Sequence, residues 1–225
     1  MSKDRKSRPW RRWLAGTVAV AATLGIGRAT LAGDYEEPAY ALIATLGDVE
    51  IRRYAPTIEA RVEVEAPYDQ AVSMGFRPLA KYIFGGNAPE ASIAMTAPVG
   101  ATPKGEEIAM TAPVGAQGEG DRWVVSFTMP SEWTMETLPA PLDPRVQLVE
   151  VPGRVVAVRS FTWKARSRAV DEEKAALLAT LSAHGLAPAG PIVVNQYDPP
   201  WIPGPLRRNE IMVPLSEEAA AALEP

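Results

Sequence analysis

The chain of 225 residues contains no cysteine and a single histidine, His184. The absence of thiols excludes a disulfide framework, a thiolate metal site and a cysteine nucleophile. A Gly-x-Ser-x-Gly elbow, a glycine-rich nucleotide loop and a calcium loop are also missing. These gaps leave an enzyme, in particular a small-molecule hydrolase, as a minor alternative to a binding protein.

The formal net charge of −4 conceals an uneven distribution. Residues 1–32 hold seven basic residues and one acidic residue, so the rest of the chain carries 16 basic and 26 acidic residues, a net charge of −10. Phosphate backbones bind surfaces rich in lysine and arginine. A domain this acidic is therefore not expected to bind nucleic acid.

The first 32 residues have the three parts of a secretory signal. A basic run ends at Arg12, a moderately hydrophobic stretch follows over residues 13–27, and small residues lead to a cleavage position after Ala32. A membrane-spanning helix needs roughly 20 apolar residues, and this stretch is shorter. The sequence predicts a signal peptide or, as the alternative, an uncleaved N-terminal membrane anchor. Either one would export the domain to the periplasm or another extracytoplasmic space, held at the inner membrane if the anchor is retained.

Hydrophobic periodicity predicts the same order of elements twice within one domain, residues 33–215, followed by a tail at 216–225. The first half has strands at 49–54 and 58–64, a helix at 68–84 and a strand at 122–129. The second half has strands at 146–151 and 155–162, a helix at 169–184, and strands at 191–197 and 210–215. This order indicates an α+β domain in which two pseudo-symmetric antiparallel sheets curve into a barrel, each covered by a helix.

The nine-residue phrase Ile-Ala-Met-Thr-Ala-Pro-Val-Gly-Ala occurs at residues 93–101 and again at 108–116. Its alternation predicts two strands, paired as a hairpin, with Met95 and Met110 as diagonal neighbours on one face. Proline cannot donate to a ladder, so Pro98 and Pro113 are expected at an edge, a bulge or an opening. The methionines either line a mouth that fits a large flat apolar ligand or belong to an ordinary core.

Four motifs occur in an order that resembles the SOUL haem-binding family. They are the doubled phrase, Val125-Ser-Phe-Thr-Met-Pro130, Leu138-Pro-Ala-Pro with Asp143-Pro-Arg-Val146, and Arg208-Asn-Glu-Ile211. The resemblance runs from about residue 35 to 215. It implies a distorted β-barrel of two pseudo-symmetric halves, an architecture shared with effector-binding domains. It also implies reversible, non-covalent binding of haem or a related tetrapyrrole without catalysis; the alternative is another bulky hydrophobic ligand.

The family has no invariant haem histidine, and His184 is a weak candidate metal ligand, since its place before Gly185 is typical of a helix end. Methionine and tyrosine can also coordinate haem iron. The candidate residues are Met95 and Met110 as pocket lining, Trp201 for stacking, Arg77, Lys81, Lys104, Arg207 and Arg208 for the haem propionates, and Met129 and Tyr197 as further ligands by chemistry. Glu210 is expected to brace the last strand.

A signal peptide predicts that the exported protein begins at Gly33, which intact-mass measurement of the protein recovered after export would show. A mass that retains residues 1–32 would instead establish the anchor.

Overall fold

Ten strands form one antiparallel sheet in the computed structural model, which describes residues 24–25, 35–88 and 105–223. The strands are Leu24–Gly25 (β1), Tyr40–Leu46 (β2), Val49–Tyr54 (β3), Thr57–Glu65 (β4), Val114–Glu119 (β5), Arg122–Thr128 (β6), Gln147–Val151 (β7), Arg154–Phe161 (β8), Val193–Gln196 (β9) and Asn209–Pro214 (β10). The helices are Tyr68–Ile83 (α1), Ser167–Ala183 (α2) and Glu217–Ala221 (α3). No helix within these described ranges is long and apolar enough to cross a membrane.

The strand order is palindromic. Across the sheet it runs β1-β2-β3-β8-β10-β9-β5-β6-β4-β7. When β3 to β6 are exchanged with β7 to β10, the order of these eight strands is reversed, so a pseudo-twofold axis passes between β5 and β9. The predicted architecture of two related halves is confirmed. Strands β3 and β7 each pair with the opposite half, at β8 and β4, which ties the halves together.

The two faces of the curled sheet differ in polarity. Helix α1 covers the apolar face of β4 and β6, where Val62 and Val125 are buried, and α2 covers β8 and β10 in the same way. Gly75 lets α1 approach closely, because a Cβ there would lie 2.5 Å from Cβ of Val125. The opposite face carries polar side chains such as Glu59 and Arg61, which border a cavity of about 210 Å³.

The second copy of the repeated phrase differs from its prediction. The strand begins at Val114 and not at Ile108. Ile108 and Ala112 are buried, but their N–H groups donate to the backbone carbonyls of Ile83 (2.8 Å) and Glu36 (3.0 Å). These N–H groups are therefore not available for the predicted hairpin. Pro113 lies immediately before the strand, beside the interior cavity, as expected for a residue without an N–H. The first copy and the predicted hairpin lie outside the described residues.

A buried carboxylate joins four parts of the sheet. The Glu210 side chain on β10 is 2% exposed, and Nη1 of Arg52 on β3 donates to both of its oxygens at 3.1 Å. The Tyr197 hydroxyl, just after β9, donates to it at 2.5 Å, and Ser160 on β8 lies at 3.5 Å. Glu210 can therefore brace the last strand as expected, because its carboxylate contacts side chains from three other segments.

The charges in this cluster depend on one another. Burial alone would lower the pKa of Arg52, but Glu210, Tyr54 and Glu50 outweigh it, and the pKa is raised. Burial, and then the charge of Glu210, raise the pKa of Tyr197 well above its usual value. Arg52 thus stays cationic and Tyr197 stays a neutral donor, which matches the needs of a buried carboxylate.

Glu210→Gln is expected to lower the free energy of unfolding by about 3 kcal/mol, because the buried Arg52 guanidinium would lose its buried carboxylate and keep only the more exposed Glu50 as an ionic partner. Urea unfolding followed by circular dichroism measures this. The matched control is Glu217→Gln, which removes the exposed partner of Arg53 and should cost less than about 1 kcal/mol. Equal losses for the two variants would contradict the bracing role.

Candidate functional site

An apolar groove lies between α1, residues 110–114 and the loop that follows β9. Its volume is about 580 Å³, within the range of roughly 300–1,000 Å³ typical of ligand pockets. The side chains that make its wall apolar are Val72 and Phe76 from α1, with Met110 and Val114. We call this site the apolar groove.

Each wall of the apolar groove is fixed by packing or hydrogen bonding. Phe76 packs edge-on against Phe127 of β6, with ring centroids 5.3 Å apart. On the opposite side, Arg207 holds the loop, since its Nε donates to the carbonyl of Ile202 at 2.8 Å and its Nη2 donates to that of Pro200. The groove is therefore built before any ligand enters.

Five predicted residues line the apolar groove: Arg77, Met110, Tyr197, Trp201 and Arg207. Arg77 is exposed on α1 and makes no ion pair with any described residue. Trp201 is 75% exposed at the mouth. The groove thus combines an apolar wall, an uncommitted guanidinium and an open indole.

The other predicted basic residues lie elsewhere. Lys81 is one helical turn beyond Arg77 and does not line the groove; its charge acts on Asp143. Arg208 points the other way, with its guanidinium 3.7 Å above the Tyr197 ring and paired with Glu37. Both assignments to the ligand site find no support in the geometry. Met95 and Lys104 lie outside the described residues.

Three of the candidate iron ligands are committed to other contacts. His184 is exposed at the end of α2, with Nδ1 2.8 Å from the carbonyl of Thr180, so it is a helix-end residue. Met129 is buried in the core beneath α1. Tyr197 lines the groove with its ring, while its hydroxyl donates to Glu210 and its raised pKa opposes the phenolate that would bind iron. Met110 and Tyr197 are thus the described candidate ligands that line the groove, and the hydroxyl of Tyr197 is taken by Glu210.

The pseudo-twofold axis generates a second cleft, of about 680 Å³, beside α2. When the buried residues Leu79 and Ile83 of α1 are aligned with Leu177 and Leu181 of α2, Phe76 corresponds to Lys174. In the second cleft Lys174 lies 5.4 Å from the Trp123 ring, beside the charged residue Asp171. The same framework therefore presents a lysine in the second cleft at the position that Phe76 occupies in the apolar groove.

Sequence periodicity identified Val72 and Phe76 as the inward stripe of a helix but not as groove lining. Both residues face a gap that appears once the loop after β9 folds over α1. Within the described part of the chain, no group of three or more histidine, aspartate or glutamate side chains could hold a metal ion.

A curled antiparallel sheet of two related halves with covering helices defines an α+β protein of the effector-binding type of fold. The family model described as "SOUL heme-binding protein" matches residues 35–214. Since this match covers most of the chain, the protein belongs to the SOUL haem-binding family.

Similarity to a curated protein is consistent with that membership. Heme-binding protein 2 of Homo sapiens is 30% identical over 146 residues, a match that covers 62% of this chain and 64% of the human protein. The chain therefore spans somewhat less than two thirds of the length of this relative.

Solved structures resemble the fold at low sequence identity. The crystal structure of the EcmrR C-terminal domain matches with a TM-score of 0.55 and 9% identity, covering 75% of this chain and 96% of that domain. A hydrolase from Listeria innocua matches with a TM-score of 0.49 and 15% identity, covering 75% of this chain and 92% of that one. The first match supports the fold alone, and the second is too distant to bear on activity.

Proposed function

We propose that this protein binds haem or a related tetrapyrrole reversibly and non-covalently in the apolar groove, without catalysis. The observation that carries the proposal is the groove itself. It joins an apolar wall to an exposed tryptophan and to an arginine that makes no ion pair with a described residue, in a chain that belongs to the SOUL family. A flat apolar macrocycle with acidic side chains fits this combination.

Each part of such a ligand has a suitable partner. Val72, Phe76, Met110 and Val114 would remove the apolar ring from water, which is the main source of affinity in a pocket of this kind. Trp201 would stack on its open face. Arg77 would pair with a propionate, because a guanidinium forms strong charge-assisted hydrogen bonds with carboxylates.

We do not propose that a histidine ligates the haem iron. The chain has one histidine, His184, whose Nδ1 lies 2.8 Å from the carbonyl of Thr180 on its own helix and which does not line the groove. Affinity would then rest on burial and on the propionate contact, which favours exchange over permanent retention. Hydrolysis finds no support either, since Ser73 and Thr111 line the groove without a histidine to act as base.

Arg77→Glu is expected to weaken hemin binding at least about tenfold, because a charge-assisted hydrogen bond contributes roughly 1.5–3 kcal/mol. Soret absorbance and tryptophan quenching of the full chain during hemin titration measure this. Lys81→Glu, one turn along the same helix, is the matched control and should change affinity less than about twofold. Equal losses would remove Arg77 from the site. A free-hemin spectrum with wild-type protein would refute haem binding altogether.

His184→Ala should leave both the Soret maximum and the hemin affinity unchanged. Met110→Leu conserves volume and should do the same if Met110 packs against the ring, whereas Met110→Ala should weaken binding about fivefold through lost contact. The same titration measures all three variants. A Soret shift in Met110→Leu would show instead that the thioether coordinates iron.

A further inference from the structure

Trp163, two residues after β8, has a backbone conformation that is unfavourable for a bulky residue. Its φ angle is +72°, in the left-handed region that favours glycine. The surrounding chain imposes this conformation. The Trp163 N–H donates to the carbonyl of Gly204 at 2.7 Å, and the Trp163 carbonyl accepts from Nδ2 of Asn209 at 2.9 Å. Strain of this kind, held by several contacts, is characteristic of functional positions.

The strained backbone places an indole on the outside of the molecule. Trp163 is 62% exposed, and it packs so closely against Gly204 that a Cβ there would lie 2.6 Å from its ring. The segment around Gly204 also carries Trp201, 75% exposed, and Leu206, 56% exposed. Three large apolar side chains are therefore presented to solvent by two segments that are hydrogen-bonded to each other.

Unpaired basic residues flank these side chains. Lys164 and Arg166 are exposed and make no ion pair within the described ranges. Of the neighbouring acids, Glu172 pairs with Arg168 at 2.8 Å, while Asp198 and Asp69 accept hydrogen bonds from the backbone N–H groups of Arg208 (2.6 Å) and Ser167 (3.3 Å). We call Trp163, Trp201, Leu206, Lys164 and Arg166 the tryptophan surface.

We propose that the tryptophan surface docks the protein onto an anionic lipid bilayer. Tryptophan favours the headgroup region, where its ring is half-buried and its N–H stays hydrated. Lysine and arginine beside it are attracted to anionic headgroups. Protein interfaces, in contrast, are depleted in lysine. Because the sequence after residue 32 carries a net charge of −10, the positive charge at this surface sets the orientation of docking.

The apolar groove opens beside the same surface, since Trp201 and Arg207 line it. The docking proposal depends only on the tryptophan surface. The further idea that docking lets a lipophilic ligand pass between the bilayer and the apolar groove rests on the proposed function.

The test measures contact between the two indoles and lipid in the full chain. Trp10→Phe and Trp13→Phe remove the N-terminal fluorophores, and the protein is added to vesicles of phosphatidylcholine mixed with phosphatidylglycerol, with or without brominated acyl chains. Bromine quenches tryptophans at the bilayer surface even if the N-terminal segment also tethers the chain. Further variants are Trp163→Phe with Trp201→Phe, Lys164→Glu with Arg166→Glu, and the control Leu142→Ser, which removes an equally exposed apolar side chain elsewhere.

The expected result is strong quenching by brominated lipid, lost in the double phenylalanine variant and unchanged in Leu142→Ser. The double charge reversal should reduce quenching with phosphatidylglycerol at low salt, and high salt should reduce it in the parent. Quenching that is absent from the parent, or that survives loss of both indoles, would overturn docking. Insensitivity to the charge reversal and to salt would overturn the anionic-lipid requirement. Hemin plays no part in the assay, so its outcome is separate from that of the proposed function.

Discussion

The carboxylate of Glu210 is the contact on which the arrangement of the two halves depends. It lies on β10, in the second half of the chain, and it binds Arg52 on β3, in the first half. Strand β3 reaches that position because it pairs with β8 and not with β4, the next strand in sequence. The buried ion pair therefore forms when the halves have exchanged their outer strands. An unexchanged sheet would leave the buried Glu210 carboxylate without its cation, at a large cost, while Arg52 would keep Glu50 on its own strand.

The same carboxylate sets the geometry of the groove. It holds the hydroxyl of Tyr197, whose ring is covered on one side by Arg208. Tyr197 directly follows the last residue of β9, where the loop toward Trp201 and Arg207 begins. Fixing Tyr197 therefore fixes the root of the loop that forms the outer wall of the groove. Glu210 therefore links the stability of the fold to ligand binding, although Glu210 itself does not line the groove.

Many of the helices and strands could be predicted from the sequence, because the local periodicity of apolar residues determines them. Helix α1 and strands β3, β4, β6 and β8 have clean patterns, and the structure places them within a residue or two of their predicted bounds. Strand β2 was missed because a register shift between Leu42 and Ala44 breaks the alternation. Residues 108–113 alternate as a strand does, but the N–H groups of Ile108 and Ala112 donate to the carbonyls of Ile83, at the end of α1, and of Glu36.

The sequence predicted some residues of the apolar groove correctly and could not distinguish them from neighbours that lie elsewhere. Arg77 and Lys81 share a helix face, so sequence could not show that the groove ends between them. Arg207 and Arg208 are adjacent, and the fold alone decides that one braces the loop while the other stacks on Tyr197. The partner of Glu210 is 158 residues away, a separation at which no local pattern carries information. Local rules thus located the helix and the aromatic loop, and tertiary contacts selected the residues that meet.

Trp201 connects the two proposals physically. It lines the apolar groove and belongs to the tryptophan surface, and one indole cannot stack on a ligand and enter a headgroup layer in full at the same time. Ligand occupancy and membrane docking would then be coupled, and the coupling must be reciprocal: if docking draws Trp201 away from the groove, a bound ligand weakens docking by the same factor. The absence of a histidine at the groove keeps the ligand free to respond, because no coordinate bond from an imidazole would hold it against this exchange.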